Sequence, residues 1–160
     1  MALIKNKFLI IGILIFCTSA LLFAYFVEHV LKYAPCNLCL IERIPYIAGA
    51  ILAFLVIVFD KYERLALIII GLFFIFGTIV SFYHFGIEKG FFNESLVCDL
   101  SSISKAKSAQ DLLKELTAKS VSCKDVAFTI FGLSLATFNT VISLIISAIM
   151  IRARLNYDKN

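Results

Sequence analysis

The chain has 160 residues, of which 61% are hydrophobic and only 16% are charged, whereas a soluble globular domain has about 25% charged residues. Its mean hydropathy of +0.97 and this shortage of charge exclude a soluble domain and indicate that most of the chain lies in a lipid bilayer. The net charge of +4 comes without a basic stripe interleaved with aromatic residues, so we predict no nucleic-acid partner.

Four apolar runs have the length needed to cross a hydrocarbon core of about 30 Å, which takes about 20 helical residues. They cover residues 8–27, 40–59, 65–86 and 127–151. A short polar connection at residues 60–64 makes the second and third spans antiparallel neighbours. The first run is too long for the apolar core of a signal peptide and lacks a small-x-small cleavage site, so we expect it to remain. The sequence therefore predicts an all-α membrane protein, a four-transmembrane-helix bundle that forms a single domain over residues 1–160.

Two segments outside these spans share one side of the membrane, a short loop at residues 28–39 and a long loop at residues 87–126. Both termini and the 60–64 connection fall on the other side. In the long loop, residues 103–118 carry apolar side chains at helical spacing, which predicts a short amphipathic helix. This helix either lies on the membrane surface or packs on the rest of the loop. Lys and Arg residues number seven on the side of the termini and eight on the loop side, so cation counts do not settle the orientation.

The sequence has five cysteines, and four of them lie in or beside the two loops: Cys36, Cys39, Cys98 and Cys123. The fifth, Cys17, falls within the first apolar run, where we expect a small buried hydrophobic residue. Paired cysteines indicate an oxidising compartment, so we place the two loops outside the cytoplasm and both termini inside it. The two histidines do not complete a zinc site at helical spacing, and we predict no metal.

Cys36 and Cys39 form a C-x-x-C motif, a spacing typical of a redox-active pair or of half a metal site. Pro35 before the motif predicts extended chain that turns into a helix at the cysteines. A helix start directs backbone N–H groups at the sulfurs and favours a thiolate, which we expect on Cys39 because Arg43 follows it by one helical turn. The alternative for Arg43 is an interfacial anchor paired with Glu42.

Two cysteine couples on one side of a membrane suggest an electron relay. Disulfide exchange can carry electrons from a soluble thiol to a water-facing loop pair, Cys98 and Cys123. From there they can pass to Cys36 and Cys39 at the membrane edge, and then to an acceptor dissolved in the lipid. His84 ends the third span at the same membrane face, where it either donates a hydrogen bond to a quinone carbonyl or caps its own helix.

The combination of these features resembles the DsbB family of bacterial inner-membrane disulfide bond formation proteins. The resemblance rests on the block Pro-Cys-x-Leu-Cys-x-x-Glu-Arg at residues 35–43, on four spans, on Tyr83-His84 closing the third span, and on a cysteine pair in the next loop. It covers nearly the whole chain. The family implies a quinone-dependent thiol oxidoreductase that reoxidises a periplasmic thioredoxin-fold oxidase of the DsbA type. By that resemblance we expect a bacterial inner-membrane protein with cytoplasmic termini, periplasmic cysteine loops, and ubiquinone or menaquinone as its acceptor.

The resemblance also implies roles for individual residues. Cys36 and Cys39 match the quinone-coupled pair of the family, with Cys39 as the cysteine that contacts the quinone. Cys98 and Cys123 match the loop pair, with Cys98 as the cysteine that forms a mixed disulfide with the partner. The residues expected at the quinone site are Arg43, His84 and Glu42.

The sequence leaves two alternatives to a quinone-dependent thiol oxidoreductase. A redox enzyme of the vitamin K epoxide reductase type also has four helices, but its C-x-x-C would be expected within a later span, after the loop pair. The order here is the reverse. A non-catalytic membrane protein with two stabilising disulfides would not need Arg43 one turn from Cys39.

Overall fold

The computed structural model of the chain describes residues 2–93, 98, 123–124, 129–130 and 132–157. The described residues form helices α1 (Ala2–His29), α2 (Asn37–Ile41), α3 (Ile44–Val58), α4 (Glu63–Glu88) and α5 (Leu135–Tyr157), a 3₁₀ turn at Asp60–Tyr62, and strands β1 (Thr129–Ile130) and β2 (Leu133–Ser134). The amphipathic helix predicted at residues 103–118 lies outside the described residues.

Four of the helical segments are long and apolar enough to cross a membrane: Lys7–His29, Asn37–Val58, Glu63–Glu88 and Leu135–Asn156. With 22 to 26 residues each, they extend over roughly 33–39 Å at a rise of about 1.5 Å per residue, more than the hydrocarbon core requires. Many large apolar side chains point outward from the bundle, among them Ile79, Phe82 and Leu144. This outward apolar surface suits contact with lipid. The prediction of an all-α membrane protein with four transmembrane helices is confirmed.

The second span is interrupted near its start, between α2 and α3. Pro45 stands at the beginning of α3, where its ring would collide with the carbonyl group of Ile41 if one helix ran through. The chain therefore ends α2 at Ile41 and starts α3 at Ile44. The residues between them, Glu42 and Arg43, keep helical dihedral angles but point in different directions into the bundle.

The fourth helix begins later than the sequence suggested. The prediction of a span from residue 127 is wrong at this end, because α5 starts at Leu135 and is preceded by a hairpin in which β1 pairs antiparallel with β2. Gly132 turns this hairpin with a φ of 79°, a conformation that glycine adopts without strain. The Ser134 hydroxyl then accepts a hydrogen bond from the Thr137 backbone N–H at 3.3 Å, as helix N-caps do.

The helices pack as a bundle in which α1 lies along α3, α3 on α4, and α4 along α5. Gly77 permits the close approach of α3 to α4, because a Cβ atom at this position would lie 2.9 Å from Cγ of Pro45. The main apolar core lies toward the end of the bundle that holds the Asp60–Tyr62 turn; its buried members are Ile10, Ile13, Cys17, Tyr46, Ala53, Val56, Ala66, Leu67, Ile70, Phe74, Ile146 and Met150. A second, smaller buried cluster contains the cysteine pairs.

Candidate functional site: a cysteine pair beside a histidine and a carboxylate

Cys36 caps the N-terminus of α2. Its backbone is extended (φ −73°, ψ 169°), and its Sγ accepts a hydrogen bond from the Cys39 backbone N–H at 3.3 Å. One helical turn on, the Cys39 Sγ lies 2.7 Å from the Cys36 Sγ. The helix start that Pro35 and the motif predict is therefore present, and it brings both sulfurs together with a backbone donor aimed at Cys36.

His84 reaches this sulfur from α4, a neighbouring helix. Its Nε2 lies 3.6 Å from the Cys36 Sγ, and its Nδ1 lies 2.7 Å from Oε1 of Glu42. An ionised carboxylate can only accept hydrogen bonds, so Nδ1 carries a proton and donates a hydrogen bond to Glu42. The other ring nitrogen, Nε2, then faces the sulfur. His84 and Glu42 are both buried, so this Cys36–His84–Glu42 chain is shielded from bulk water.

These contacts favour the thiolate of Cys36. The hydrogen bond from the Cys39 side chain contributes most, and the His84 hydrogen bond and charge and the Cys39 N–H add to it. Against the opposing effect of burial, they lower the pKa of the Cys36 thiol to about 4. The expectation that the stabilised thiolate is Cys39 is wrong, because the donors converge on the other sulfur of the pair.

Asn139 of α5 contacts the carboxylate oxygen of Glu42 that does not bind His84. Its Nδ2 donates to Glu42 Oε2 at 2.6 Å, since a carboxylate only accepts, and its Oδ1 therefore accepts from the Tyr46 hydroxyl at 2.5 Å and the Ser143 hydroxyl at 3.2 Å. Sequence reasoning missed this residue. The available signal was a polar stripe in the fourth apolar run, with Asn139, Ser143 and Ser147 spaced four residues apart on one helix face.

Arg43 turns toward α1. Its Nη1 forms a salt bridge of 2.7 Å with Oε2 of Glu28, and its guanidinium group lies over the Tyr25 ring, 5.2 Å from the centroid. Its ionic partner is thus Glu28 rather than the neighbouring Glu42. This pairing fixes the guanidinium group where it lines the same cavity as Cys39.

Cys98 and Cys123 form a disulfide, with their Cα atoms 6.0 Å apart. Only 3% of Cys98 and 1% of Cys123 are exposed, and both belong to the buried cluster that contains Cys36. The expectation that this pair faces water is wrong, because both cysteines are buried in the cluster that also contains Cys36, with Cys39 packed against that cluster. Cys36 and Cys39 carry free thiols beside it, as does the core residue Cys17.

A cavity of about 220 Å³ opens beside the cysteine pair. It is smaller than the roughly 300–1,000 Å³ of pockets that enclose whole drug-sized ligands, so it suits a single ring whose substituent extends into lipid. Its walls are mainly apolar side chains of α1 and α5. The polar or reactive residues in the walls are Cys36, Cys39, Glu28, Tyr33, Glu42, Arg43, Tyr46, His84, Glu88 and Asn139.

The sulfur and nitrogen atoms of Cys36, Cys39 and His84 all lie within 4.8 Å of one another. The sequence placed His84 at the membrane face of the cysteine pair, but it did not predict the direct contact of its ring with the Cys36 sulfur. The absence of a bound metal stays a prediction that metal analysis can test.

Comparison with known proteins identifies a family for this arrangement. A family model described as disulfide bond formation protein DsbB matches residues 6–153. The chain is also similar to a protein of Rickettsia prowazekii described as uncharacterized, with 26% identity over 144 residues, which are 88% of this chain and 84% of that protein. No solved structure matches the chain.

Proposed function

Because the chain belongs to the DsbB family of disulfide bond formation proteins, we propose that it is a quinone-reducing protein-disulfide oxidoreductase that reoxidises a DsbA-like thioredoxin-fold oxidase. One observation carries the proposal. The Cys36–Cys39 pair lies in the wall of a mainly apolar cavity and also in one buried cluster with the Cys98–Cys123 disulfide. A dithiol placed between a disulfide and a lipid-accessible cavity is suited to pass electrons between them.

The first step is exchange with the partner. A thiolate of the reduced partner attacks the Cys98–Cys123 disulfide, by resemblance at Cys98, and forms a mixed disulfide while Cys123 leaves as a thiolate. The second partner thiol then attacks the mixed disulfide. The partner leaves oxidised, and the loop pair holds two electrons and two protons as two thiols.

The second step moves the electron pair inward. A thiolate of the loop pair attacks the Cys36–Cys39 disulfide, and a second exchange closes the Cys98–Cys123 disulfide again. The product is a loop disulfide beside two free thiols, which is the oxidation state of this structure. The lowered pKa of Cys36 favours this direction, because it stabilises the reduced form of the membrane-edge pair.

The cavity fits a quinone ring, since its mainly apolar walls carry a few polar groups at the cysteine end. Arg43, which lines the cavity, would hold a ring oxygen, while His84 acts on the sulfur side with its nitrogens directed at Glu42 and Cys36. By resemblance, Cys39 would be the sulfur that contacts the ring. When bound, ubiquinone or menaquinone supplies an acceptor for two electrons and two protons. The chain's own residues hold a thiolate at Cys36, orient the His84 ring against it, and exclude bulk water.

We place the protein in the bacterial inner membrane, with both termini in the cytoplasm and the cysteine loops in the periplasm. The support is that four helices are long and apolar enough to cross a membrane, and four crossings would leave both termini on one side and both cysteine segments on the other. The buried Cys98–Cys123 disulfide supports an oxidising compartment on the loop side.

The test is turnover by the purified protein with a reduced thioredoxin-fold partner and a soluble ubiquinone or menaquinone analogue. We expect quinone reduction matched by an equal amount of partner oxidised, abolished in Cys39→Ser and retained in Cys17→Ser, the matched control in the apolar core. Normal turnover in Cys39→Ser would exclude the proposed route. No quinone reduction by the wild-type protein with any thioredoxin-fold partner would exclude the function itself.

A further inference from the structure

The hydrogen bonds around Glu42 form a chain that starts on α5, a helix that contributes no cysteine. Tyr46 and Ser143 donate to Oδ1 of Asn139, and Asn139 donates to Oε2 of Glu42. Glu42 in turn accepts from His84 with its other oxygen. Every link has a defined direction, because the Glu42 carboxylate only accepts hydrogen bonds and must face Nδ2 of Asn139, which leaves Oδ1 to accept from the two hydroxyl groups.

We propose that Asn139 is a positioning residue of the redox site, which acts through Glu42 to hold His84 against Cys36. This inference deepens the proposed function and rests on it. Asn139 also lines the cavity, but its polar atoms are occupied by the chain just described. Its contribution is therefore to orient the carboxylate.

The orientation matters because Glu42 is buried and has one oxygen for each neighbour. With Nδ2 of Asn139 on Oε2, the other oxygen is aimed at Nδ1 of His84, and the ring presents Nε2 to the sulfur. Without that donor, a buried carboxylate oxygen is left unsatisfied, which costs about 1–3 kcal/mol or more for a charged group. Glu42 would then rotate, its other oxygen would no longer be aimed at Nδ1, and the His84 ring would be held less firmly against the Cys36 sulfur.

Among the described residues, few other titratable groups surround the hydrogen bonds that join Asn139, Glu42 and His84. His84 is faced by Cys36 and Cys39, whose sulfurs lie within 4.8 Å of a ring nitrogen. It is also faced by Glu42 after α2 and by Glu88 of its own helix, whose Oε1 lies 3.8 Å from Nε2. The Arg43 guanidinium next to Glu42 in sequence is bonded to Glu28. The neutral Asn139 is therefore the polar group that fixes the second oxygen of Glu42.

The test measures the pH dependence of Cys36 alkylation in the purified, reduced full-length protein, with no quinone and no partner present. Mass spectrometry reads the Cys36 peptide after short exposure to iodoacetamide. In Asn139→Leu we expect the midpoint of the pH profile of Cys36 alkylation to rise toward the free-thiol value of about 8.5. The rate of Cys36 alkylation at pH 5 should fall about tenfold. The matched control is Thr140→Val, because the Thr140 hydroxyl bonds the Ala136 carbonyl of its own helix; its midpoint should equal the wild-type value.

Two further variants separate positioning from general damage to the bundle. If Asn139 acts through Glu42, then Asn139→Leu in a Glu42→Gln background should add no further shift of the midpoint. Should Asn139→Leu fail to fold, Tyr46→Phe combined with Ser143→Ala removes both donors that orient the amide and should raise the midpoint in the same way.

An unchanged midpoint in the folded Asn139→Leu variant, or an equal additional shift in the Glu42→Gln background, would overturn the inference. Neither result depends on quinone reduction. The proposed function can therefore fail in the turnover assay while this inference survives, and the reverse is also possible.

Discussion

The lowered pKa of Cys36 makes a quantitative prediction for how its alkylation depends on pH. With a pKa of about 4, the folded thiol is about 90% thiolate at pH 5 and fully thiolate at pH 8. A free thiol with a pKa of about 8.5 is about 0.03% thiolate at pH 5 and about 24% at pH 8. The alkylation rate of Cys36 should therefore change less than about twofold over this range in the folded protein and rise about 800-fold in denatured protein.

We compare how steeply the alkylation rate of Cys36 rises with pH in folded and in denatured protein. This comparison removes the effect of burial, since restricted access slows alkylation equally at every pH. The assay treats reduced protein with iodoacetamide from pH 3 to pH 9, folded in detergent or unfolded in denaturant, and follows the Cys36 peptide by mass spectrometry. His84→Gln removes one of the donors to the sulfur and should steepen the folded profile. His29→Gln, at the end of α1, is the matched histidine control and should not. Parallel profiles for the folded and denatured wild-type protein would refute the geometry assigned to Cys36.

Three further predictions concern the cavity, the packing of the bundle and metal binding. Glu28→Gln removes the ionic partner of Arg43 and should raise the KM for the quinone severalfold with a smaller change in kcat; an unchanged KM would argue against a role of this ion pair in quinone binding. Gly77→Ala should destabilise the bundle by about 1–3 kcal/mol in thermal unfolding, because its Cβ would press on Pro45. Gly71→Ala, whose Cβ would make an ordinary 3.5 Å contact, is the control, and equal stability of the two variants would contradict the packing described for α3 and α4. Purified protein should contain no stoichiometric zinc by elemental analysis and should keep its quinone turnover after dialysis against EDTA; loss of turnover that zinc restores would instead assign a metal to the cysteine–histidine cluster.

The sequence was sufficient for features that depend on local chain properties. Apolar runs of about 20 residues fix the four membrane helices, because lipid leaves the backbone few alternatives. Pro35 and the C-x-x-C spacing place Cys36 at a helix start, where Sγ meets the Cys39 N–H. The start of α5 was misjudged because residues 127–134 are nearly as apolar as the helix, while the Gly132 turn and the Ser134 cap decide the boundary.

Contacts between helices could not be derived in the same way. Glu42 and Arg43 are adjacent in sequence and look like an ion pair, but successive helical residues project about 100° apart. Glu42 therefore points inward to His84 and Asn139, while Arg43 points to Glu28 on α1. Which helices are neighbours, and at what height, is set by packing across the bundle, and no spacing rule within one segment encodes it.

The central claim is that the two cysteine pairs exchange electrons within one buried cluster and that the electrons settle on the membrane-edge pair. The direct measurement is a single turnover without quinone. Fully oxidised protein is mixed anaerobically with one equivalent of a reduced thioredoxin-fold partner, quenched with N-ethylmaleimide, and mapped by mass spectrometry. We expect the label on Cys36 and Cys39 and an intact Cys98–Cys123 disulfide, the state seen in this structure. Label that remains on Cys98 and Cys123, with Cys36 and Cys39 still joined, would contradict the account.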